Sequence, residues 1–439
     1  MSVLVDARGL PVTAGSASEI ASIDCFIARV LRIDRGAESI LEDAKTFPET
    51  PLVQLCAAAF CLFAQTHPSD MAGIGYLKAA EPLLPFATER EQRLHHAFTL
   101  WSRKDHLGAV NALEDITRHW PRDLLAAKVS EFLYYVLGQQ YEGPRFLRHM
   151  TRIAEANKDD PDFLAMYAFA YELCGDVPEA QHTVERALQL EPKNPWAHHC
   201  VAHIYLRKGD TDGGVHALES YLPIWIGAGR FIHCHNAWHL ALAHLDDLNP
   251  DRALDLYAKH IWNIMPDWVG EQIDAIALLW RLEMAGMAVD HLWGSVADHV
   301  ETHVKEHYMP FLDAHFVYAL ARAGRVEVVE RWLAGVAARA NSPDSEARRG
   351  WAPVGQPLIE ASAALAWGDA ARSATLLGPV MSDITVVGGS DAQVDLFRLA
   401  YFHSLLGCGR KADAKSYWSA VTAARHLSPL DQYRFGLAG

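Results

Sequence analysis

Two consecutive stretches of this chain match at a fixed offset. The first, PDFLAMYAFAYELCGDVPEAQHTVERALQLEPKN, begins at residue 161, and the second, PWAHHCVAHIYLRKGDTDGGVHALESYLPIWIGA, begins at residue 195. Gly175 and Gly209 are 209 − 175 = 34 positions apart, and Ala168/Ala202, Tyr171/Tyr205 and Val184/Leu218 share that offset. A unit this short cannot bury its apolar face alone, so copies must stack. The small residue lets two helices approach. The Gly ends the first helix in a left-handed conformation, and Pro192 halts the second. The period therefore restricts the chain to stacked two-helix hairpins.

Looser copies extend the pattern. Residues 94–121 carry Ala97, Leu100, Ala109 and a closing Pro121 in register, and 235–261 carry Ala241, His244 and Ala253. Residues 312–333 pivot on Gly324, 357–377 on Gly368 and 395–418 on Gly409. A 34-residue helix–turn–helix period is that of the tetratricopeptide unit. The expected fold is all-α, a tetratricopeptide-like α-solenoid or superhelix of roughly eight to ten helix pairs. Four segments are expected: degenerate helical repeats at 1–85, repeats carrying a His-rich region at 86–337, a polar Pro-rich linker at 338–357 lying outside, and further repeats at 358–439. Residues 222–231 (LPIWIGAGRF) and 376–393 (LLGPVMSDITVVGGSDAQ) are Gly-rich and apolar. They are expected to be loops folded inward. No alternating strand pattern is evident.

Composition narrows the function classes. A net charge of −15 over 439 residues argues against a nucleic-acid backbone or an anionic membrane as partner. The seven Cys are odd in number, lack C-x-x-C and mostly sit in apolar helical contexts, which suits reduced thiols and a cytoplasmic location. The N-terminal MSVLVDARGLPVTAGSASE has no basic start followed by an apolar run, so no signal peptide is expected. There is no G-x-G-x-x-G after a strand, no P-loop and no G-x-S-x-G, and no cofactor is expected.

Several strings resemble, in order, those of the tetratricopeptide repeat protein 38 family: VAHIYLRKGDTDGGVHAL, HNAWHLALAHLDDLNPDRALDLYAKHI, LLWRLEMAG, FLDAHFVYALARAG and VGGSDAQVDLF. The resemblance covers about residues 85–430, with DARGLPVT near the start also fitting, and its most specific parts are H-N-x-W-H and G-G-S-x-A-Q-x-D-x-F. It implies one all-helical superhelix and no established reaction. Where the family carries a His after an acidic-basic run, this chain reads EREQRLHH, with Leu94 followed by His95 and His96. LNPDR replaces the Gly-containing turn of the 235–261 unit. Asp274 stands at an acidic position of the family.

The resemblance also implies that positions 2, 5, 9 and 12 of each first helix face the groove. With Gly209 at position 15, His199 falls at 5 and His203 at 9; counting back from Leu248, His235 falls at 2 and His239 at 6. The i, i+4 spacing puts His235 and His239 on one helix face. The candidate catalytic residues are therefore His203, His235, His239, Asp313 and His315: imidazoles as acids or bases near neutrality, and a carboxylate to hold a tautomer. Candidate ligand contacts are His199, Asn236, Trp238, Gly389, Ser390, Gln393 and Asp395, the Gly389–Ser390 turn offering N–H groups to an anion. His-x-x-x-His can ligate zinc, but H-E-x-x-H is absent, so no metal is expected. His244 is expected to pack or face outward.

Two function classes stand side by side. One is a His/Asp-lined pocket that binds, and transforms by hydrolysis, hydration or elimination, a small carboxylate or carbonyl compound. The other is a non-enzymatic scaffold gripping an extended peptide. The partner is then a small-molecule ligand or a peptide, with homo-oligomers compatible with either. A closed His–Asp network serving stability alone fits the same residues.

Overall fold

The computed structural model describes residues 2–439. The chain is 78% helical and all-α in class, a run of helical hairpins. Left-handed residues mark the turns. Ile33, Gln65, Lys104, Gly138, Gly175, Gly209, Leu248, Gly286, Gly324, Gly368 and Gly409 all have positive φ and recur at intervals of about 32–44 residues. Several are followed by a capping side chain. Asp105 Oδ1 accepts from Gly108 N at 2.9 Å, Asp369 Oδ1 from Arg372 N at 2.9 Å and Asn249 Oδ1 from Arg252 N at 3.2 Å. Each cap contributes about 1 kcal/mol to the second helix of its hairpin. Leu248 at φ 56 does what Gly does elsewhere, so LNPDR keeps the turn. No helix among the described residues is long and apolar enough to cross a membrane. All seven Cys are unbridged, and Cys56, Cys61, Cys200 and Cys234 are buried.

The chain divides into two compact units. The first comprises residues up to 137 with 142–200 and 224–232. It opens on a feature with no counterpart in the sequence reading, an antiparallel hairpin of β1 (Ser2–Val5) and β2 (Pro11–Ala14). Side chains from the 89–102 helix hold it. Arg90 is 1% exposed and donates to Asp123 Oδ2 at 2.7 Å and Asp6 Oδ2 at 3.3 Å. Glu91 accepts from Thr13 N at 3.1 Å and Thr13 Oγ1 at 2.7 Å. DARGLPVT and EREQRLHH thus meet as a structural lock, while His95 Nε2 lies 3.2 Å from Leu77 O.

Residues 222–231 are mostly helical, not an apolar loop: the helix Thr211–Gly227 runs through them and the next begins at Arg230. Within the first unit Trp225 is fully buried and its Nε1 donates to His198 Nδ1 at 3.2 Å.

The second unit comprises residues 138–141, 201–223 and 233–439. Trp280 stacks on Tyr318 at 3.5 Å in its core, with Phe397 edge-on at 6.4 Å. Of the segment expected as an outlying linker, 338–357, the first part continues the helix Val326–Ala340 and the last forms a π-helical turn, Ala347–Gly355. Trp351 explains the difference. It is 2% exposed beneath the Arg339 guanidinium, 5.4 Å from its ring, and pulls the turn onto the core. The other apolar Gly-rich stretch contains a 3₁₀ helix, Gly378–Val387, burying Val380, Ile384 and Val387. Its Thr385 carbonyl lies where a Cβ on Gly138 would be, 2.1 Å away, so only glycine fits there.

Candidate functional site

The second unit assembles a row of three imidazoles between two carboxylates. His203 comes from the helix Pro195–Lys208, and His235 and His239 from Arg230–Asp246. Asp274 lies in Val269–Met284, and Asp391 opens Asp391–Gly407. The His203 and His239 ring centroids are 4.7 Å apart, and those of His239 and His235 4.9 Å. At one end His203 Nδ1 is 3.0 Å from Asp391 Oδ1, while Arg207 Nη2 is 2.9 Å from Oδ2 of the same carboxylate. At the other, His235 Nδ1 is 2.9 Å from Asp274 Oδ2. Trp238 stacks on His235 at 5.5 Å and meets His239 edge-on at 4.8 Å. Arg281 lies over Trp238 at 5.4 Å and donates to Ala392 O at 2.8 Å.

Burial sets the electrostatics. His203, His239 and His235 are 0%, 3% and 7% exposed. Burial first, then the neighbouring His203 and His235, hold the His239 pKa well below the ordinary imidazole value, so it is neutral at pH 7. Burial alone would raise the Asp391 carboxyl, but Arg207 and His203 outweigh it and hold it well below the usual range. Its place in the first turn of a helix favours the same charge. Burial lowers Arg281 to about 10.

His239 also borders a small cleft. Tyr205, Asp210 and Asp246 line it with apolar groups such as Leu242. Burial raises the Asp246 carboxyl to about 6.

The remaining sequence candidates have other employment. Asp313 Oδ2 is 2.6 Å from His307 Nδ1, beside Trp332. His315 Nδ1 donates to Phe311 O at 2.8 Å, with Phe397 and Trp280 around its ring, and burial lowers it to about 3. Neither residue hydrogen-bonds to the three imidazoles or stacks on them. Each has a local partner instead, His307 for Asp313 and the Phe311 carbonyl for His315. Ser390 and Gln393 form a reciprocal cap, Gln393 Oε1 accepting from Ser390 N at 3.0 Å and Ser390 Oγ from Gln393 N at 3.4 Å. Gly389 packs against Phe311 and its carbonyl accepts from Gln139 N at 3.1 Å. Asp395 pairs with Arg398 at 3.0 Å. Asn236, 1% exposed, sits beside His235 in the chain. His199 belongs to the first unit, where it stacks on Trp196 at 4.4 Å and meets Phe169 edge-on at 5.0 Å. His244 packs, 3.0 Å from Glu219 Oε1.

Sequence reasoning passed over Asp391 and Arg207. Both lie in strings singled out for their neighbours, and Asp391 after Ser390 reads as ordinary helix-start chemistry. No known family model matches the chain.

Proposed function

We propose that the second unit binds a small carbonyl compound in the cleft beside His239 and acts on it by hydrolysis, hydration or elimination. One observation carries this reading: three buried imidazoles form a row braced at both ends by carboxylates, and the middle one, His239, borders a cleft. A neutral imidazole can polarise a carbonyl or accept a proton without bringing a charge of its own. The cleft suits a neutral carbonyl better than a carboxylate, because Asp210 and Asp246 line it.

Membership of the tetratricopeptide repeat protein 38 family is part of the same proposal. The two strings that carry the resemblance, H-N-x-W-H and G-G-S-x-A-Q-x-D-x-F, supply His235, His239 and Asp391 to one row. The competing reading, a peptide scaffold, would require the imidazoles at the surface, and none is more than 7% exposed. Unbridged thiols support a cytoplasmic location.

The test is ligand-observed NMR against a panel of small aldehydes, ketones, esters and amides. Wild type is expected to bind at least one class. His239→Gln is expected to lose that binding while keeping its far-ultraviolet circular dichroism. Binding by the folded variant at wild-type strength, or none by wild type, would sink the proposal.

A further inference from the structure

His235 and His239 are arranged as metal ligands are. They lie one turn apart on one helix face, and their ligand nitrogens are within 4.8 Å of one another. Two nitrogens on one tetrahedral zinc are roughly 3.4 Å apart at ordinary Zn–N lengths, so small side-chain rotations close the gap. The rings stand at 84°, which lets two lone pairs converge without the rings clashing.

The surroundings match what such a site requires. The Asp274 carboxylate at 2.9 Å from His235 Nδ1 fixes the proton there and leaves Nε2 as the donor atom. This carboxylate–histidine pairing is the usual outer support of a bound metal. His203 repeats the design, its Nδ1 backed by Asp391 at 3.0 Å and its ring 4.7 Å from that of His239. The cleft bordered by His239 provides room for a water at an open coordination position.

We propose that His235 and His239, with His203 as the third imidazole, form a site for a divalent transition metal, zinc foremost. Imidazole ligands suit zinc, copper and nickel over calcium or magnesium. This goes beyond the pocket reading, because an ion can be bound and measured with no organic ligand present. Failure to find an organic ligand would leave the metal site standing, and the reverse also holds.

The experiment uses untagged full-length protein, stripped with a chelator and titrated with Co(II) and then Zn(II). Wild type is expected to develop visible Co(II) bands saturating at one equivalent and to lose them when zinc is added. His235→Gln and His239→Gln are each expected to weaken binding at least about 100-fold, and Asp274→Asn and His203→Gln by roughly 10–100-fold. His244→Gln, on the same helix but packed against Glu219, is expected to bind as wild type does. Absence of a saturable Co(II) band in wild type overturns the proposal whether or not the variants fold. Equal losses in His244→Gln and His239→Gln overturn it as well, and unweakened binding by His203→Gln removes His203 from the set.

Discussion

Arg207 Nη2 donates to Asp391 Oδ2 over 2.9 Å and across 184 positions of chain. The same carboxylate holds His203 through its other oxygen. One side chain at a helix start therefore balances a guanidinium and orients an imidazole. Asp391→Ala leaves Arg207 without its carboxylate in a largely buried setting, and a loss of about 2–4 kcal/mol is expected. Urea unfolding followed by tryptophan fluorescence would check it. An unchanged midpoint would mean that the pair contributes nothing to stability.

Gly175 and Gly209 occupy the same place in successive repeats, with φ of 80° and 67°. Their surroundings differ. A Cβ on Gly175 meets nothing within 4 Å, whereas one on Gly209 would lie 2.1 Å from His426 O. Gly175→Ala should cost only the left-handed conformation, about 1–2 kcal/mol. Gly209→Ala adds a backbone clash and should cost more than about 3 kcal/mol. Thermal melts of the two variants decide it, and equal losses would show that the approach of His426 is dispensable.

Arg90 is the hub of the first unit, bound to Asp6 and Asp123 with about 1% exposure on every partner. Arg90→Ala strands two buried carboxylates, so a loss of about 3–5 kcal/mol is expected. The β1–β2 hairpin should then become the first site of proteolytic cleavage. A digestion pattern identical to wild type would count against this anchoring role.

What was legible in the sequence follows from what each residue type must do alone. Glycine at a left-handed turn leaves a mark, so Gly175, Gly209, Gly324, Gly368 and Gly409 gave away the hairpins. Ile33, Gln65, Lys104 and Leu248 take the same backbone conformation without being glycine, and their turns were faint or invisible. Composition misled at 222–231 and 338–357, where Trp225 and Trp351 bury helical turns that the Gly and Pro content suggested were loops. In the candidate site, spacing along a helix identified the faces of His235 and His239. Partners from distant segments were not readable. Asp313 was already taken by His307, and Asp391, not its neighbours Gln393 and Asp395, reaches His203. Pairings between distant segments depend on how hairpins stack, and no local periodicity encodes that.

Asp246 gives the chain a pH dependence with a defined sign. Burial raises its carboxyl from 3.8 to about 6; Asp431 and Asp395 push the same way, and Arg434 and Arg425 oppose them. Ser428 Oγ donates to it at 3.4 Å. A carboxyl whose pKa is raised by folding favours the folded state while it is protonated. That contribution is full below about pH 3.8 and is lost as pH rises through about 6. The ionised group then costs the second unit about 1–3 kcal/mol. Asp246→Asn keeps the shape and cannot ionise. It should match wild type near and below about pH 3.8, exceed it progressively between about pH 4 and 6, and hold a nearly constant advantage above about pH 7. Thermal melts of both proteins in matched buffers from about pH 3.5 to 8 measure the difference directly. Curves that run parallel across that range would show that Asp246 titrates normally and that the cleft wall carries an ordinary carboxylate.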